Sequence, residues 1–229
     1  MSRGTFVIRR VLLLMLPVTI SLGLINFNLT VNSIFATLVP EDTYKVASEV
    51  HDLLVAMLLS SSNEAAATLA EHVGGTQEDF VRRMNAFARR LGTRDTSFAN
   101  PHGLDATGHH SSARDLARIG AEVLEDPVLA PIVGRTTATV STPRGAVTET
   151  NRNVLLESYR GAIGIKTGRT LGAGNVLVAA ARRDKRTLIA VALQSSDAAA
   201  DAAALLDEGF RAARRLDRPR ATTLLERGT

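Results

Sequence analysis

Three apolar runs in succession, Gly161–Arg169, Asn175–Ala181 and Arg186–Leu193, constrain the fold of this 229-residue chain more than any other feature. Each has the length of a strand, and the last two are joined by the polar turn Arg182-Arg-Asp-Lys185. Together they read as neighbouring strands of an antiparallel sheet. The first run ends in Lys166-Thr167-Gly168-Arg169. Gly168 lets another backbone approach closely, Thr167 offers a hydroxyl, and Lys166 sets a fixed positive charge beside them. Such an edge suits an extended peptide that ends in a carboxylate. A Lys-Thr-Gly triplet alone is a weak motif, so the rest of the chain has to supply its company.

Ahead of the sheet the pattern is helical. Val50, Leu53, Leu54, Met57 and Leu58 crowd one face up to Leu59, Ser60-Ser-Ser-Asn63 interrupts it, and a second helix runs from Glu64 to a stop at Gly74-Gly75. The serines and Asn63 read either as a helix break or cap, or as a polar cluster lodged there for chemistry. Thr76-Gln-Glu-Asp79 is a capping box for a helix with Phe80, Met84, Phe87 and Leu91 inward, and its arginines, Arg82, Arg83, Arg89 and Arg90, form a solvated face. Phe98 to Gly108, dense in Asn, Pro and Gly, is a structured loop, and Ser112-Ala-Arg-Asp115 caps the next helix, which Asp126-Pro127 ends. Thr136–Val140 and Ala146–Thr150 flank Ser141–Gly145 as a hairpin, followed by Asn151-Arg-Asn153. A helix from about Asp197 to Arg215, with Ala202, Leu205, Leu206, Gly209, Phe210 and Ala213 in one stripe, packs on the sheet.

Residues 1–10 carry three arginines and no acid, and residues 11–40 carry no charge. That segment reads as a signal peptide or a membrane anchor that exports the remainder of the chain, with a buried core helix as the alternative. The expected division is therefore a leader over 1–40, one domain over 41–216, and a polar tail over 217–229. Three of the charges behind the net +4 lie in the leader, and aromatics make up only 4% with no tryptophan, which argues against nucleic acid as a partner. Zero cysteines excludes disulfides and thiolate catalysis. His102, His109 and His110 with Asp105 do not complete a metal-ligand set at helical or hairpin spacing, so neither metal nor cofactor is expected.

Ser61-Ser62-Asn63, Asn100-Pro-His-Gly-Leu-Asp105, Ser112-Ala-Arg-Asp-Leu116 and Gly164-Ile-Lys-Thr-Gly168, in this order, resemble the low-molecular-mass penicillin-binding proteins. More narrowly, they are similar to the serine-type D-alanyl-D-alanine carboxypeptidases of peptidase family S11, over about Val39 to Phe210. The resemblance implies an α/β (α+β) fold of the β-lactamase and penicillin-binding-protein type, an antiparallel sheet covered by helices. It also implies the removal of D-alanine from peptidoglycan stem peptides at the extracytoplasmic face of the cell envelope, through a serine acyl-enzyme that β-lactams also form. In that scheme Lys166 attracts the terminal carboxylate, helped by Thr167 and Arg152. Ser61 relays protons, Asn63 holds the acyl amide and the catalytic lysine, and the backbone N–H of Arg169, after Gly168, serves the oxyanion.

One motif of the class is missing from these 229 residues. The three lysines are Lys45, Lys166 and Lys185, and none stands three places after a serine, so no Ser-x-x-Lys occurs. The sequence thus leaves three readings: a fragment or mis-started reading of a carboxypeptidase whose nucleophile lies elsewhere, a membrane-tethered, catalytically silent binder of peptidoglycan peptides, or an enzyme in which another group serves as nucleophile.

Overall fold

The computed structural model describes residues 44–142 and 145–217, so the expected leader lies outside the described residues, and so does the tail beyond Asp217. Among the described residues no helix is long and apolar enough to cross a membrane. The chain begins with α1 (Tyr44–Val55), whose last turn widens into a π-helical segment at Ala56–Ser60. Next come α2 (Asn63–Gly74), α3 (Gln77–Arg90), α4 (Ala113–Glu125) and the short α5 (Leu129–Val133). A hairpin of β1 (Thr137–Thr142) and β2 (Gly145–Thr150) leads to α6 (Leu155–Ser158). The main sheet is β3 (Ala162–Thr170), β4 (Gly174–Arg183) and β5 (Arg186–Ser195), and α7 (Ala198–Asp217) closes the described chain.

The helix starts are where short polar side chains can take orphan N–H groups. Thr76 accepts from the Asp79 amide at 3.0 Å and Ser112 accepts from the Asp115 amide at 3.3 Å. Asp115 does more than fill a capping motif. Fully buried, its carboxylate also takes the amides of Arg94 and Asp95 at 2.9 and 2.7 Å and the Thr96 hydroxyl at 2.8 Å. That ties the start of α4 to the turn after α3. The 98–108 loop is stiffened in the same way: Asn100 accepts from the Gly103 amide at 2.6 Å and donates to the Leu104 carbonyl at 2.8 Å, and Ser97 bridges to His110.

The three strands run antiparallel in the order β3-β4-β5, as their sequence pattern predicts. Their turn is tighter than expected. Only Asp184 and Lys185 stand outside the strands, both at positive φ, which suits a two-residue hairpin with right-handed strand twist. Ser141 and Thr142, read as turn, are strand residues that pair with Ala146 and Gly145. Alternate strand residues face opposite layers. Val176, Val178 and Val191 join the core made by α1 to α5, while Leu177, Ala179, Ala181, Ala190 and Ala192 pack with Ala202, Leu206 and Phe210 of α7. The small alanines let α7 lie close, so the stripe read from the sequence is the buried one.

On the opposite face α4 approaches the sheet through Gly120, where a Cβ would sit 3.0 Å from Ile165 Cδ1 and 3.1 Å from Val178 Cγ1. Gly120→Val should therefore overpack this layer and cost about 1–3 kcal/mol. The expected result is a lower denaturant midpoint at unchanged m-value, and a midpoint equal to that of the parent would show that the layer has slack.

Candidate active site

The serine cluster divides its work. Ser62 is the N-cap of α2 and accepts from the Ala65 amide at 3.1 Å, and Ser60 spends its hydroxyl on the Ala56 carbonyl at 2.8 Å. Ser61, between them, is the C-cap of the π-helical segment, with φ 64° and ψ 43°. A left-handed backbone is unusual for a serine and is sustained by the helices on either side. The cap reading holds for Ser62, and the Ser61 hydroxyl is left for a contact outside its own helices.

That contact is with Lys166. Its Nζ lies 2.9 Å from Ser61 Oγ and donates to the Thr167 carbonyl at 2.8 Å, joining positions 105 residues apart. Lys166 sits on β3, which is an end strand of the sheet, and is only 2% exposed. Its charge is not fixed, contrary to the sequence reading. Burial, with the nearby Arg152 cation adding to it, brings its pKa down from 10.5 to about 7. No acid contributes to that shift.

Arg152 is held by its neighbours. Asn151 donates to the carbonyls of Val133 and Arg135 at 3.2 and 2.9 Å, and Asn153 accepts from the Leu155 amide at 3.2 Å. The Arg152 amide donates to the Leu59 carbonyl at 3.2 Å, which seats this exposed arginine beside the π-helical turn that ends at Ser61. Sequence reasoning passed over Asn151 and Asn153 as generic polar residues. Their signal was the spacing of two asparagines about an arginine just before a short helix.

Asn63, the first residue of α2, has a buried Oδ1 with no hydrogen-bond partner. A buried acceptor left alone costs stability and marks a place where a donor is wanted. Thr167, Gly168 and Arg169 follow Lys166 along β3, opposite Leu177, Val176 and Asn175, with Thr167 and Gly168 partly accessible and Arg169 exposed. An open depression of about 580 Å³ starts at Arg169 and Thr170 and continues over Gln194 to Ser196, away from the Ser61–Lys166 contact.

The Nδ1 atoms of the loop histidines are spent locally, while His109 Nε2 is buried without a hydrogen-bond partner. His109 Nδ1 accepts from the Ala99 amide at 3.2 Å, His102 Nδ1 accepts from the Leu104 amide at 3.3 Å, and His110 Nδ1 meets the Gly108 carbonyl at 3.0 Å. Burial takes His109 down to about 4, so it is neutral in the physiological range. Among the described residues no group of three or more His, Asp or Glu could hold a metal ion.

The D-alanyl-D-alanine carboxypeptidase family, peptidase S11, matches residues 15–197. The chain belongs to that family. The match takes in the Ser61–Lys166 contact, Arg152 and Asn63. Relatives include the D-alanyl-D-alanine carboxypeptidases DacC and DacD of Escherichia coli. DacC is 40% identical over 156 residues, which is 67% of this chain and 37% of the relative. DacD is 38% identical over 151 residues, 65% of this chain and 38% of the relative. The chain therefore spans well under half the length of these curated relatives. The Streptomyces K15 DD-transpeptidase superposes with a TM-score of 0.72 at 26% identity, covering 83% of this chain and 88% of that one. The antiparallel sheet covered by helices is the DD-peptidase fold.

Holding Lys166 out of water costs stability, and the sign follows from its depressed pKa. From about 7 to 10.5 the unfolded chain binds the proton that the folded chain has shed, so stability rises with pH through that window and carries the full cost below it. Lys166→Met should raise stability at pH 6 by about 1–3 kcal/mol, with the gain shrinking toward pH 10. Denaturant unfolding at the two pH values tests this, and a Met variant less stable than the parent at pH 6 would refute it.

Proposed function

We propose that this chain is the sheet-and-helix part of a serine-type D-Ala-D-Ala carboxypeptidase of peptidoglycan, acting outside the cytoplasm. The observation that carries the proposal is the buried Lys166 on an end strand, bonded to Ser61 and paired with a second cation, Arg152, instead of an acid. Two cations without a carboxylate partner are a site for a ligand carboxylate, and a stem peptide that ends in D-Ala-D-Ala brings one on an extended backbone. Such a backbone can lie along β3, where Thr167 and Gly168 offer a hydroxyl and a close approach.

Each site residue then has a task. Lys166 and Arg152 hold the carboxylate, with Thr167 assisting. Ser61 passes a proton between Lys166 and the leaving amine, a step suited to a lysine whose pKa is near neutrality. Asn63 Oδ1, buried and unpartnered, accepts either from the peptide's acyl amide or from a lysine of the catalytic set. The Arg169 amide faces the developing oxyanion. Acylation joins the penultimate residue's carbonyl to a serine oxygen as an ester and releases D-alanine with the transferred proton; water then cleaves the ester. No Ser-x-x-Lys occurs in the 229 residues, so the acylated serine is the one role to which no residue here is assigned.

Intact mass of the chain after incubation with benzylpenicillin, followed by peptide mapping, tests the reading directly. A stoichiometric adduct would support the carboxypeptidase reading and locate the acylated serine within these residues. No adduct, together with saturable binding of a D-Ala-D-Ala peptide, would identify a silent binding module of the same fold.

The site also has an expected pH dependence. A bound carboxylate raises the Lys166 pKa, so binding takes up a proton above about pH 7. Affinity for acetylated Lys-D-Ala-D-Ala peptides should then fall as pH rises from 7 to 9, by up to about tenfold per unit. Calorimetric titrations across that range should show proton uptake, and a flat profile would mean that Lys166 does not meet the carboxylate.

A further inference from the structure

The 98–108 loop takes no part in the chemistry above, yet it ends on the strand that carries that chemistry. Asp105 Oδ1 accepts from the Thr170 hydroxyl at 2.7 Å, and Oδ2 accepts from the Gly172 amide at 3.1 Å. Thr170 is the last residue of β3 and Gly172 lies in the turn to β4, so one carboxylate grips both strand end and turn. The Thr170 oxygen also accepts from the Ala173 amide at 2.9 Å, which passes the grip on into the turn. A Cβ at Gly172 would lie 3.1 Å from Asp105 Oδ1, so glycine is what lets the turn close on the carboxylate.

Apolar packing at this turn comes from one small side chain: Leu171, at its tip, is fully exposed, whereas Ala173 is buried against the helical core. Among the described residues β3 has a partner strand on one side only, and behind it the β4–β5 pairing shifts register between Asn175 and Leu177. The ends of such ladders open most readily. Asp105, by contrast, comes from a loop made stiff by Asn100, by the Ser97–His110 bridge and by His109.

We propose that Asp105 is a positioning residue: by clamping Thr170 and Gly172 it holds the backbone of Thr167 to Arg169 in the extended form against which the substrate peptide is laid. The proposal rests on the carboxypeptidase reading. A strand that is already ordered spares the peptide the entropy of ordering it, and it keeps the Arg169 amide in place for the reacting carbonyl.

Two measurements on the full chain separate the clamp from the reading beneath it. The first is amide hydrogen exchange without ligand. In Asp105→Ala the amides from Gly168 to Ala173 should exchange at least tenfold faster, with those of α4 and α7 unchanged. Thr170→Val should act in the same direction, Asp105→Asn should be intermediate, and Asp105→Ala combined with Thr170→Val should fall short of the sum of the two single effects, the remainder being the Thr170–Ala173 bond. Unchanged exchange at the strand end, acceleration spread evenly over the molecule, or additive effects would each overturn the clamp. The second is the rate of benzylpenicillin adduct formation, which should fall about tenfold in Asp105→Ala while Tm moves by only a few degrees. Wild-type rates in a variant whose strand end has loosened would also overturn the positioning role. If the parent chain itself takes up no penicillin, the carboxypeptidase reading falls, and the exchange pattern still decides whether Asp105 orders the strand.

Discussion

A lysine ammonium removed from water at the edge of a sheet is the interaction on which the rest of this structure depends. Lys166 is almost wholly buried, its two hydrogen bonds go to a hydroxyl and a carbonyl, and the charge acting on it is another cation. Desolvation of that kind is tolerated only if the surrounding elements are held firmly enough to prevent water from entering. The sheet supplies one wall, the π-helical turn and α2 supply another, and Asn151-Arg152-Asn153 fastens the second sequence-distant cation beside them. In the proposed scheme that cost is what makes the site responsive: a lysine near neutrality would gain a proton when a carboxylate arrives and lend one when an amine leaves.

The packing around the sheet is arranged to keep β3 in place. Its inner face meets the helical core through Ile165, with α4 brought close at Gly120, and its neighbour β4 is locked on the other face by the alanine contacts to α7. Small residues at these layers shorten the distance between helix and sheet, and short distances leave few voids through which the strand could shift. At the far end of β3 the apolar contact is the buried Ala173 of the turn, and polar contacts from the 98–108 loop add to it.

Membership of the D-alanyl-D-alanine carboxypeptidase family and the DD-peptidase fold agree with this physical reading. In the proposed scheme the described residues bind the peptide's carboxylate end and manage its protons. Chemistry on the acyl carbon needs a serine that the Ser-x-x-Lys pattern does not locate in these 229 residues. In that scheme the binding half and the nucleophile are physically separable functions: the cations and the strand edge would recognise the peptide whether or not a serine stands ready to attack it.

By itself the sequence determined the elements, because local rules set them. Apolar runs of strand length marked β3, β4 and β5, Thr76 and Ser112 marked helix starts, and the apolar stripe of α7 was legible down to the residues it buries. Ser61, Asn63, Arg152 and the Lys166–Arg169 stretch could also be named, as site residues that the resemblance to the D-alanyl-D-alanine carboxypeptidases implies. What the tertiary structure alone decided was which of these meet and in what state. Ser61 and Lys166 are 105 positions apart, so no local pattern could show their hydrogen bond, the division of labour among Ser60, Ser61 and Ser62, or the loss of a fixed charge at Lys166. Nor could it show that Asp105 reaches Thr170. Propensity and spacing act within a few residues, whereas burial and the pKa it shifts belong to the whole packed molecule.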